Sequence, residues 1–334
     1  MNIWSHRSAA FGLFTVLAAA GCGGSSIAPG TSALPAAAPL ARGAGSWMSP
    51  DAKRAKELLY VADPTGSPSY SGVIDVFQLR ALKYKLVGQI EDDNYPDGMT
   101  TDAGGNLYVT DMGVKTEGPA PGDIKVYPKG GTQYVRLIVP AYWTPFDIGV
   151  GKDGTLYVSN IAPLASFTPG SVSVYPPMAS QPSRTLRFPN FQVYGIARHR
   201  HTNTIYVSYA GSGSNGGIDA FVHARGRPKN LGVSFDSPWG LLEDGSDNLL
   251  ACSGNGTINV YAEATGELVQ QISVPGGALW EAFNQSRTKL YVTNFQEVDI
   301  FSYPAGKLLG TITQQGWGGR SNYPTGLALW PPPQ

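Results

Sequence analysis

The sequence predicts an all-β fold in which six similar sheets, each of four antiparallel strands, form a closed ring. Three observations support this prediction. A Leu-Tyr-Val phrase recurs along the chain at intervals of 48, 49, 49, 44 and 41 residues. The chain contains 42 Gly and 26 Pro, and only 14% of its residues are charged. That composition is typical of many short strands joined by tight turns. The last strand-like segment is followed by no further strand, so the strand with which it can pair is the first one of the repeat region.

Each repeat contains four strand-like segments. A segment near a Pro, such as PDGMTTD at 96–102, is joined by a short polar turn to the Leu-Tyr-Val strand, which is a hairpin signal. A third strand alternates apolar and polar residues, as in DIKVY at 123–127, so one face of it is buried. A looser fourth strand follows, as in YKLVGQI at 84–90. Four antiparallel strands in 40–50 residues make one blade of a β-propeller.

The two ends of the repeat region predict how the ring closes. LLYVAD at 58–63 opens the first unit without a preceding strand, and PTGLALW at 324–330 ends the last one. We therefore expect the C-terminal strand to complete the first blade, because that pairing removes free sheet edges. Residues 56–331 provide 46 residues for each of six blades. The Tyr of each Leu-Tyr-Val strand is expected to pack between neighbouring blades.

The N-terminus predicts export and lipid anchoring. Residues 1–21 carry His6 and Arg7 before an apolar stretch that is too short to span a bilayer, as in a signal peptide. AAGC at 19–22 resembles the cleavage site of bacterial lipoproteins, which implies lipidation of Cys22. The resemblance also implies the outer membrane or the periplasmic side in a diderm bacterium. An ordinary secretory signal, and thus a secreted protein, is the alternative.

Residues 22–55 are rich in Gly, Ser, Ala and Pro and lack periodicity, so we expect a flexible tether. The membrane would then be reached only through the lipid anchor, and we expect a monomer. Lys and Arg together number 24, as do Asp and Glu, and this balance argues against nucleic-acid binding. Cys22 and Cys252 are the only cysteines, so no disulfide framework is expected. Cys252 is predicted to be a small buried residue.

The repeated segments resemble NHL and YVTN propeller repeats, whose units contain P-x-G-I-A-x-D, G-x-L-Y-V-x-D and I-x-V-F. The resemblance covers nearly all of residues 56–331 and implies the propeller fold. It leaves the function open, because propellers include both enzymes and binding modules.

The innermost strands of a propeller line its central channel. We align them on Pro-x-Gly, which brings two side-chain positions together near one end of the channel. The first position holds Asp97, Phe146, Tyr194, Trp239, Trp280 and Thr325. The second position holds Asp147 and Glu281 in two blades and Gly in the other four. All of these side chains except Thr325 are candidate ligand-binding residues.

Three roles for this group remain open. Aromatic rings with a few carboxylates suit a carbohydrate or amine ligand. The carboxylates of Asp97, Asp147 and Glu281 would alternatively suit Ca²⁺. In a purely structural role, the rings would plug the channel and the acids would meet water or backbone N–H groups, because buried acids need partners.

PDGMTTDAGGNLYVT at 96–110 resembles a metal-binding segment of the gluconolactonase/regucalcin family, which is also six-bladed. The resemblance implies that Asp97 is a metal ligand and a candidate base. The family's Asn ligand has no counterpart here, and Glu57 is badly placed to be its Glu ligand. No confident catalytic set follows from the sequence.

RHRH at 198–201 is the only basic cluster and falls at a turn between first and second strands. We interpret it as a solvated hairpin tip, with an anion site as the alternative. The sequence as a whole predicts a non-catalytic binding module of the cell envelope, whose partner is a small molecule or an envelope protein. A Ca²⁺-dependent lactonase-like hydrolase and a structural scaffold are the alternatives.

Overall fold

The structure is a computed structural model, and all of its described residues belong to one unit, Ser32–Gln334. It describes residues 45–64, 72–92, 95–115, 118–119, 122–140, 144–161, 169–188, 192–211, 215–313 and 323–333. Six antiparallel sheets with at least four strands each make up the blades. The predicted six-bladed β-propeller is confirmed.

Blades are numbered along the chain, and their strands are given from the channel outwards. Blade 1 consists of β28 (Leu327–Trp330), β2 (Leu58–Asp63), β3 (Val73–Arg80), β4 (Lys83–Glu91) and β1 (Trp47–Met48). Blade 2 consists of β5 (Pro96–Thr101), β6 (Leu107–Asp111), β9 (Asp123–Tyr127) and β10 (Arg136–Ile138). Blade 3 consists of β11 (Thr144–Val150), β12 (Leu156–Ile161), β13 (Ser171–Tyr175) and β14 (Arg184–Arg187).

The second half of the ring has the same order. Blade 4 consists of β15 (Gln192–Arg198), β16 (Ile205–Ala210), β17 (Asn215–Phe221) and two short strands that both pair with β17, β18 (Lys229–Asn230) and β19 (Phe235–Asp236). Blade 5 consists of β20 (Pro238–Glu243), β21 (Asn248–Ser253), β22 (Thr257–Ala262) and β23 (Leu268–Ser273). Blade 6 consists of β24 (Glu281–Phe283), β25 (Lys289–Thr293), β26 (Val298–Ser302) and β27 (Leu308–Ile312).

Within the described ranges, three further elements lie outside this pattern. A small hairpin of β7 (Val114–Lys115) and β8 (Gly118–Pro119) lies between β6 and β9. A 3₁₀ turn covers Val222–Ala224, and one short helix, α1, covers Pro50–Arg54. The outer strand of blade 4 is split into β18 and β19, and Gly232 between them adopts a φ of 74°, which interrupts extended backbone. No helix among the described residues is long and apolar enough to cross a lipid bilayer.

The C-terminal strand completes blade 1, as predicted. β28 pairs antiparallel with β2, with Leu58 opposite Trp330 and Val61 opposite Leu327. The ring is thus closed by backbone hydrogen bonds between the two ends of the repeat region, and β2 has a partner strand on both sides.

The tether prediction is wrong for residues 45–55, which fold onto blade 1. β1 extends the sheet beyond β4, with Met48 opposite Gly88. Ser49 caps α1 by accepting the N–H of Asp51. The helix then buries Ala52 and Ala55 in the core cluster between blades 1 and 2. The signal peptide, Cys22 and the rest of the tether lie outside the described residues.

The apolar core lies between blades. Tyr60 of blade 1, for example, shares a core cluster with Met99 and Val109 of blade 2, and Tyr108 of blade 2 shares one with Val158 of blade 3. The equivalent residues occupy the four remaining clusters, in order Tyr157, Tyr206, Leu250 and Tyr291. The expected packing of the Leu-Tyr-Val residues between blades is confirmed, and it explains the repeat, because one sheet cannot bury both of its faces alone.

Candidate functional site

The four aromatic side chains expected in the channel pack against one another across it. The ring centroid of Phe146 lies 5.4 Å from that of Tyr194, 6.0 Å from Trp239 and 5.3 Å from Trp280. Trp239 lies 5.9 Å from Tyr194 and 5.4 Å from Trp280. Phe146 and Trp280 are buried, whereas Tyr194 and Trp239 are half-buried. The rings therefore fill the end of the channel at which the innermost strands begin.

One residue further along these strands, the blades approach so closely that most of them carry Gly. A Cβ on Gly98 would lie 2.5 Å from Asp147 Cα of the next blade, which is closer than carbon atoms can approach. A Cβ on Gly240 would lie 2.6 Å from Glu281 Oε2. The side chains of Asp147 and Glu281 thus lie in the space that the Gly of the preceding blade leaves free.

Asp147 connects two blades through its carboxylate. Oδ1 accepts the N–H of Ile148 at 2.8 Å, and Oδ2 accepts the N–H of Ile196 in blade 4 at 2.9 Å. Burial raises the pKa of Asp147 to about 7, although the two backbone N–H groups act to lower it. Both oxygens are therefore already engaged with the protein's own backbone.

Glu281 has a thiol for a partner. Cys252 Sγ of blade 5 donates to Glu281 Oε2, and Oε1 is buried with no hydrogen-bond partner among the described residues. Burial raises the pKa of Glu281 to about 8, the Cys252 hydrogen bond opposes the rise, and the charge of Asp147 adds to it. Cys252 is buried as predicted, and it also makes this polar contact, which was not predicted from the sequence.

Asp97 lies at the level of the aromatic rings and is 2% exposed. Burial raises its pKa well above the usual range, the charge of Asp147 adds to the rise, and Thr325 beside it opposes it. Its Oδ1 atom has no hydrogen-bond partner among the residues that the structure describes. This environment favours the protonated, neutral form of the side chain.

The three acids do not form a Ca²⁺ ligand set. In the described part of the chain, the one group of three His, Cys, Asp or Glu residues whose ligand atoms all lie within 4.8 Å of one another is elsewhere. Asp147, moreover, already uses both oxygens for backbone N–H groups. Ca²⁺ requires six to eight oxygen ligands around one point, and Asp97, Asp147 and Glu281 do not fit that requirement.

A cavity of about 820 Å³ occupies the channel on the other side of the aromatic rings. Asp147, Trp280 and Glu281 lie at its inner end, and the innermost strands of the blades form its walls. It opens among the turns that join first and second strands, and Pro331, Pro332 and Pro333 also line it. A cavity of this volume is large enough for a small organic ligand.

The wall of this cavity carries four cationic side chains, Lys152, Arg198, Arg200 and Arg287. Of the acids near its opening, Asp102 is held within its own turn, where it accepts the N–H of Asn106 at 2.8 Å. Arg198 and Arg200 belong to the RHRH cluster. The expectation of a solvated hairpin tip is therefore wrong for them, because both are half-buried and face the cavity.

His199, in the same cluster, has a structural role that the sequence analysis missed. It occupies the repeat position at which Asp102 and Asp244 accept turn N–H groups. Its Nδ1 accepts the N–H of His201 at 3.0 Å, and its Nε2 lies 3.5 Å from Glu263 Oε1. Because Nδ1 is an acceptor, Nε2 carries the proton of the neutral ring and is not available to a metal.

His199, Asp247 and Glu263 are the compact group of possible metal ligands mentioned above. With Nε2 of His199 directed at Glu263, this group is a polar contact between blades 4 and 5, to which Tyr206 adds a hydrogen bond to Glu263. In blades 2 and 5 the same repeat position holds Asp. This correspondence is the sequence signal that could have identified His199 as an acceptor of turn N–H groups.

No protein-family model matches the sequence, and no curated protein is similar to it. Solved structures are similar in fold. A chain of a nidogen/laminin complex is 14% identical with a TM-score of 0.63, covering 82% of this chain and 98% of that one. XC5397 from Xanthomonas campestris, a gluconolactonase important in glucose secondary metabolic pathways, is 19% identical with a TM-score of 0.54, covering 80% and 96%.

The WD40 propeller domain of Doa1 is 13% identical with a TM-score of 0.54, covering 78% of this chain and 80% of that one. At such low identity, these similarities establish the fold and not the activity. The protein is a six-bladed β-propeller with an aromatic plug at one end of its channel and a cavity at the other.

Proposed function

We propose that this protein is an exported, lipid-anchored, monomeric β-propeller of the NHL/YVTN type that binds a small molecule of the cell envelope in its central cavity without transforming it. The observation that carries the proposal is the cavity of about 820 Å³ that ends at Asp147, Trp280 and Glu281. A closed ring of sheets holds these groups rigidly, which reduces the entropy lost on binding.

Polar side chains bound the inner end of the cavity. Trp280 lies near enough to Asp147 to lower the pKa of that carboxyl group. The indole N–H of Trp280 and Oε1 of Glu281 are enclosed by protein atoms and have no hydrogen-bond partner among the described residues, so a ligand in the cavity does not contact these two atoms.

The composition of the cavity wall favours binding over catalysis. Among the described residues that line it, none is Ser, Cys or His, and its acids are Asp102, Asp147, Glu243 and Glu281. Asp102 accepts the N–H of Asn106, and Glu281 accepts from the Cys252 thiol. Asp147 accepts two backbone N–H groups and is therefore poorly placed to take a proton from a substrate.

The test is a thermal-shift screen of sugars, amines and small organic acids on the wild type and two variants, Gly149→Phe and Ala264→Phe. Gly149 lines the cavity, and a Cβ there would meet no atom within 4 Å. Gly149→Phe should therefore fill the cavity without disturbing the fold. Ala264→Phe, at an exposed turn, is the matched control. A ligand at 100 times its dissociation constant adds about 2.7 kcal/mol of stability and raises Tm by several degrees.

We expect ligands that stabilise the wild type and Ala264→Phe but leave Gly149→Phe unchanged. Stabilising ligands that act equally on all three proteins would place binding outside the cavity and refute the proposal.

Export and anchoring rest on the sequence of residues 1–22 and need their own test. We expect the full chain, expressed in a diderm bacterium, to fractionate with membranes and to carry a lipid on Cys22 by mass spectrometry. Cys22→Ser should abolish the lipid. A mature protein that begins at another residue, without lipid, would indicate an ordinary secretory signal.

A lactonase-like hydrolase is the second candidate, favoured by the sequence at 96–110 and by the similarity in fold to a gluconolactonase. Asp97 would be its metal ligand and base, but it is 2% exposed and does not line the cavity. A Ca²⁺-dependent rise in Tm that is lost in Asp97→Ala, together with lactone hydrolysis, would favour this candidate. A scaffold role would predict no ligand in either assay.

A further inference from the structure

We infer a second binding site, separate from the central cavity, in which Arg184 and Arg225 hold the phosphate group of a small phosphate monoester. The site is a cavity of about 390 Å³ between blades 3 and 4, a volume within the range of small-molecule sites. Its walls include the turns that follow β11, β15 and β17. It therefore lies on the face of the ring at which the central cavity opens.

The segment that follows β17 is rich in cationic side chains. Residues 222–230, VHARGRPKN, contain His223, Arg225, Arg227 and Lys229, and all four are exposed. The corresponding turns of blades 2, 3, 5 and 6, at 128–131, 176–179, 263–266 and 303–306, contain one Lys or Arg in total. The rim of blade 4 is therefore locally basic in a chain whose charges otherwise balance, and such a surface attracts anions.

The backbone of this segment has an uncommon conformation. His223 and Ala224 have φ angles of 53° and 50°, in the left-handed region that residues with a Cβ rarely adopt. Ala224 is buried in the core cluster of blades 3 and 4, and Arg184 Nη1 donates to its carbonyl oxygen at 3.3 Å. This contact connects Arg184 of blade 3 to the residue before Arg225, and both arginines line the cavity. Two successive residues in this region are a feature of binding sites, where the surrounding structure holds them in place.

Both guanidinium groups can be reached by a ligand. Arg225 is exposed and Arg184 is half-buried. The side chain of Arg225 makes no hydrogen bond or ion pair with a described residue, and Arg184 makes only the bond to Ala224. Most of their N–H donors are therefore available to an anion in the cavity.

Asp153 is the one acid among the described residues that line this cavity. Its Oδ1 accepts the N–H of Thr155 at 3.0 Å, and its Oδ2 accepts the Thr155 hydroxyl at 2.9 Å. The N–H of Thr155 is the main cause that holds the pKa of Asp153 below its usual value, and the charge of Arg198 also lowers it. Asp153 thus has partners of its own. Arg184, Arg225 and the nearby Arg198 leave an excess of positive charge around it.

Tyr157 adds a hydroxyl group to the wall. In blade 2 the equivalent Tyr108 donates to Asp102 at 3.0 Å, but Gly151 occupies the position of Asp102 in blade 3. The Tyr157 hydroxyl consequently makes no hydrogen bond to a described residue. Burial raises the pKa of Tyr157, and the charges of Arg198 and Arg184 oppose the rise, which places the hydroxyl near these guanidinium groups.

The donors indicate the class of anion. A phosphate monoester has three acceptor oxygens and nearly two negative charges at neutral pH, so it can engage two guanidinium groups from different blades, whereas a carboxylate is matched by one. Val174, Ala224 and the ring of Tyr157 provide apolar wall for the organic part of the ester.

The test is isothermal titration calorimetry with glucose 6-phosphate, inorganic phosphate and glucose at constant ionic strength. We expect the wild type to bind the ester, to bind inorganic phosphate more weakly and not to bind glucose. Arg184→Gln and Arg225→Gln should each lose about tenfold or more in affinity for the ester, because charge-assisted hydrogen bonds are strong. Arg184→Lys, which keeps the charge but not the paired donors, should be intermediate.

Two controls separate this site from other positive charge. Arg227→Gln removes an exposed cation from the same segment, and Arg227 does not line the cavity, so this variant should bind as the wild type does. Gly149→Phe, which fills the central cavity, should also retain the ester. Equal losses in Arg225→Gln and Arg227→Gln would reduce the effect to general attraction, and loss of the ester in Gly149→Phe would place it in the central cavity.

Either of these results would overturn the inference. Full affinity in Arg184→Gln or Arg225→Gln, or no binding of the ester by the wild type, would overturn it as well. Equal affinity of the wild type for inorganic phosphate and the ester would overturn the assignment of a monoester. The proposed function does not depend on this site, because it is judged by the thermal-shift screen.

Discussion

The thiol of Cys252 in blade 5 donates a hydrogen bond to the carboxylate of Glu281 in blade 6. The equivalent position in three other blades holds a hydroxyl that donates to a backbone carbonyl on the innermost strand of the next blade. These bonds are Thr110 to Phe146 O at 2.7 Å, Ser159 to Tyr194 O at 2.5 Å and Ser208 to Trp239 O at 2.7 Å. At the interface between blades 5 and 6, both members of this repeated contact differ, because a thiol replaces the hydroxyl and a carboxylate replaces the carbonyl.

This relationship predicts how Cys252 tolerates substitution. Cys252→Ser restores the hydroxyl of the other blades and should change the free energy of unfolding by less than about 1 kcal/mol. Cys252→Ala leaves the buried Glu281 without its donor and should cost about 1–3 kcal/mol at pH 9, where the carboxylate is ionised. Urea unfolding at pH 9 measures both. Equal stability of the two variants would mean that the thiol contributes no hydrogen bond.

The buried acids at the inner end of the cavity predict a fall in stability with rising pH. The folded-state pKa values are about 7 for Asp147 and about 8 for Glu281, against ordinary values of 3.8 and 4.5. Between these values the folded chain holds protons that the unfolded chain has released. Unfolding therefore releases protons, and the free energy of unfolding decreases as pH rises from about 5 to 8.

Glu281→Gln isolates one of these groups. A neutral amide cannot ionise, so the variant should lose less stability than the wild type between pH 6 and 9. Glu267→Gln, at an exposed position, should follow the wild-type curve. Chemical denaturation across this pH range provides the comparison, and an unchanged slope in Glu281→Gln would contradict the burial of an ionisable Glu281.

The aromatic plug predicts a large effect of Phe146, whose ring contacts those of Tyr194, Trp239 and Trp280. Phe146→Ala should destabilise the fold by about 3–5 kcal/mol, because it removes buried surface and leaves a cavity. Phe146→Leu, which retains most of the volume, should cost less. If urea unfolding gives Phe146→Ala a free energy of unfolding within about 1 kcal/mol of the wild-type value, the aromatic side chains do not stabilise the propeller.

The packing of residues 45–55 on blade 1 predicts a contrast between adjacent positions. Ala52 is fully buried and Lys53 is exposed. Ala52→Leu should cost about 1–3 kcal/mol through overpacking, whereas Lys53→Leu should have little effect. Thermal unfolding of a chain that begins at residue 45 provides the measurement. Identical melting of the two variants would mean that the segment is a free tether after all.

The sequence alone was sufficient to predict the blades and their closure, because strand periodicity and the missing first strand are local signals. It also brought Phe146, Tyr194, Trp239 and Trp280 together, since each occupies the same position when the innermost strands are aligned. The direction in which these side chains point, however, depends on the width of the channel. That width is set by close contacts between neighbouring innermost strands, such as Gly98 against Asp147. The filling of the channel by these rings was therefore only one of three alternatives.

Other features depend on contacts between distant turns. Arg200 and Arg287 are both hairpin residues, and nothing local indicates that Gly245 lets them meet. Residues 45–55 have the composition of a linker, and the buried apolar residues that hold their helix, Ala52 and Ala55, are small. The sequence contains a signal for the donor role of Cys252, because Cys252 occupies the repeat position that Ser159 and Ser208 occupy in their blades.

We propose that the cavity, and not the plugged end of the channel, binds the ligand. The decisive measurement is a crystal structure of the protein with a compound that raises its Tm in the thermal-shift screen. We expect density for that compound inside the cavity, between the innermost strands. Density at the aromatic end, beside Tyr194 and Trp239, or on the outer surface with the cavity empty of the compound, would refute the proposal.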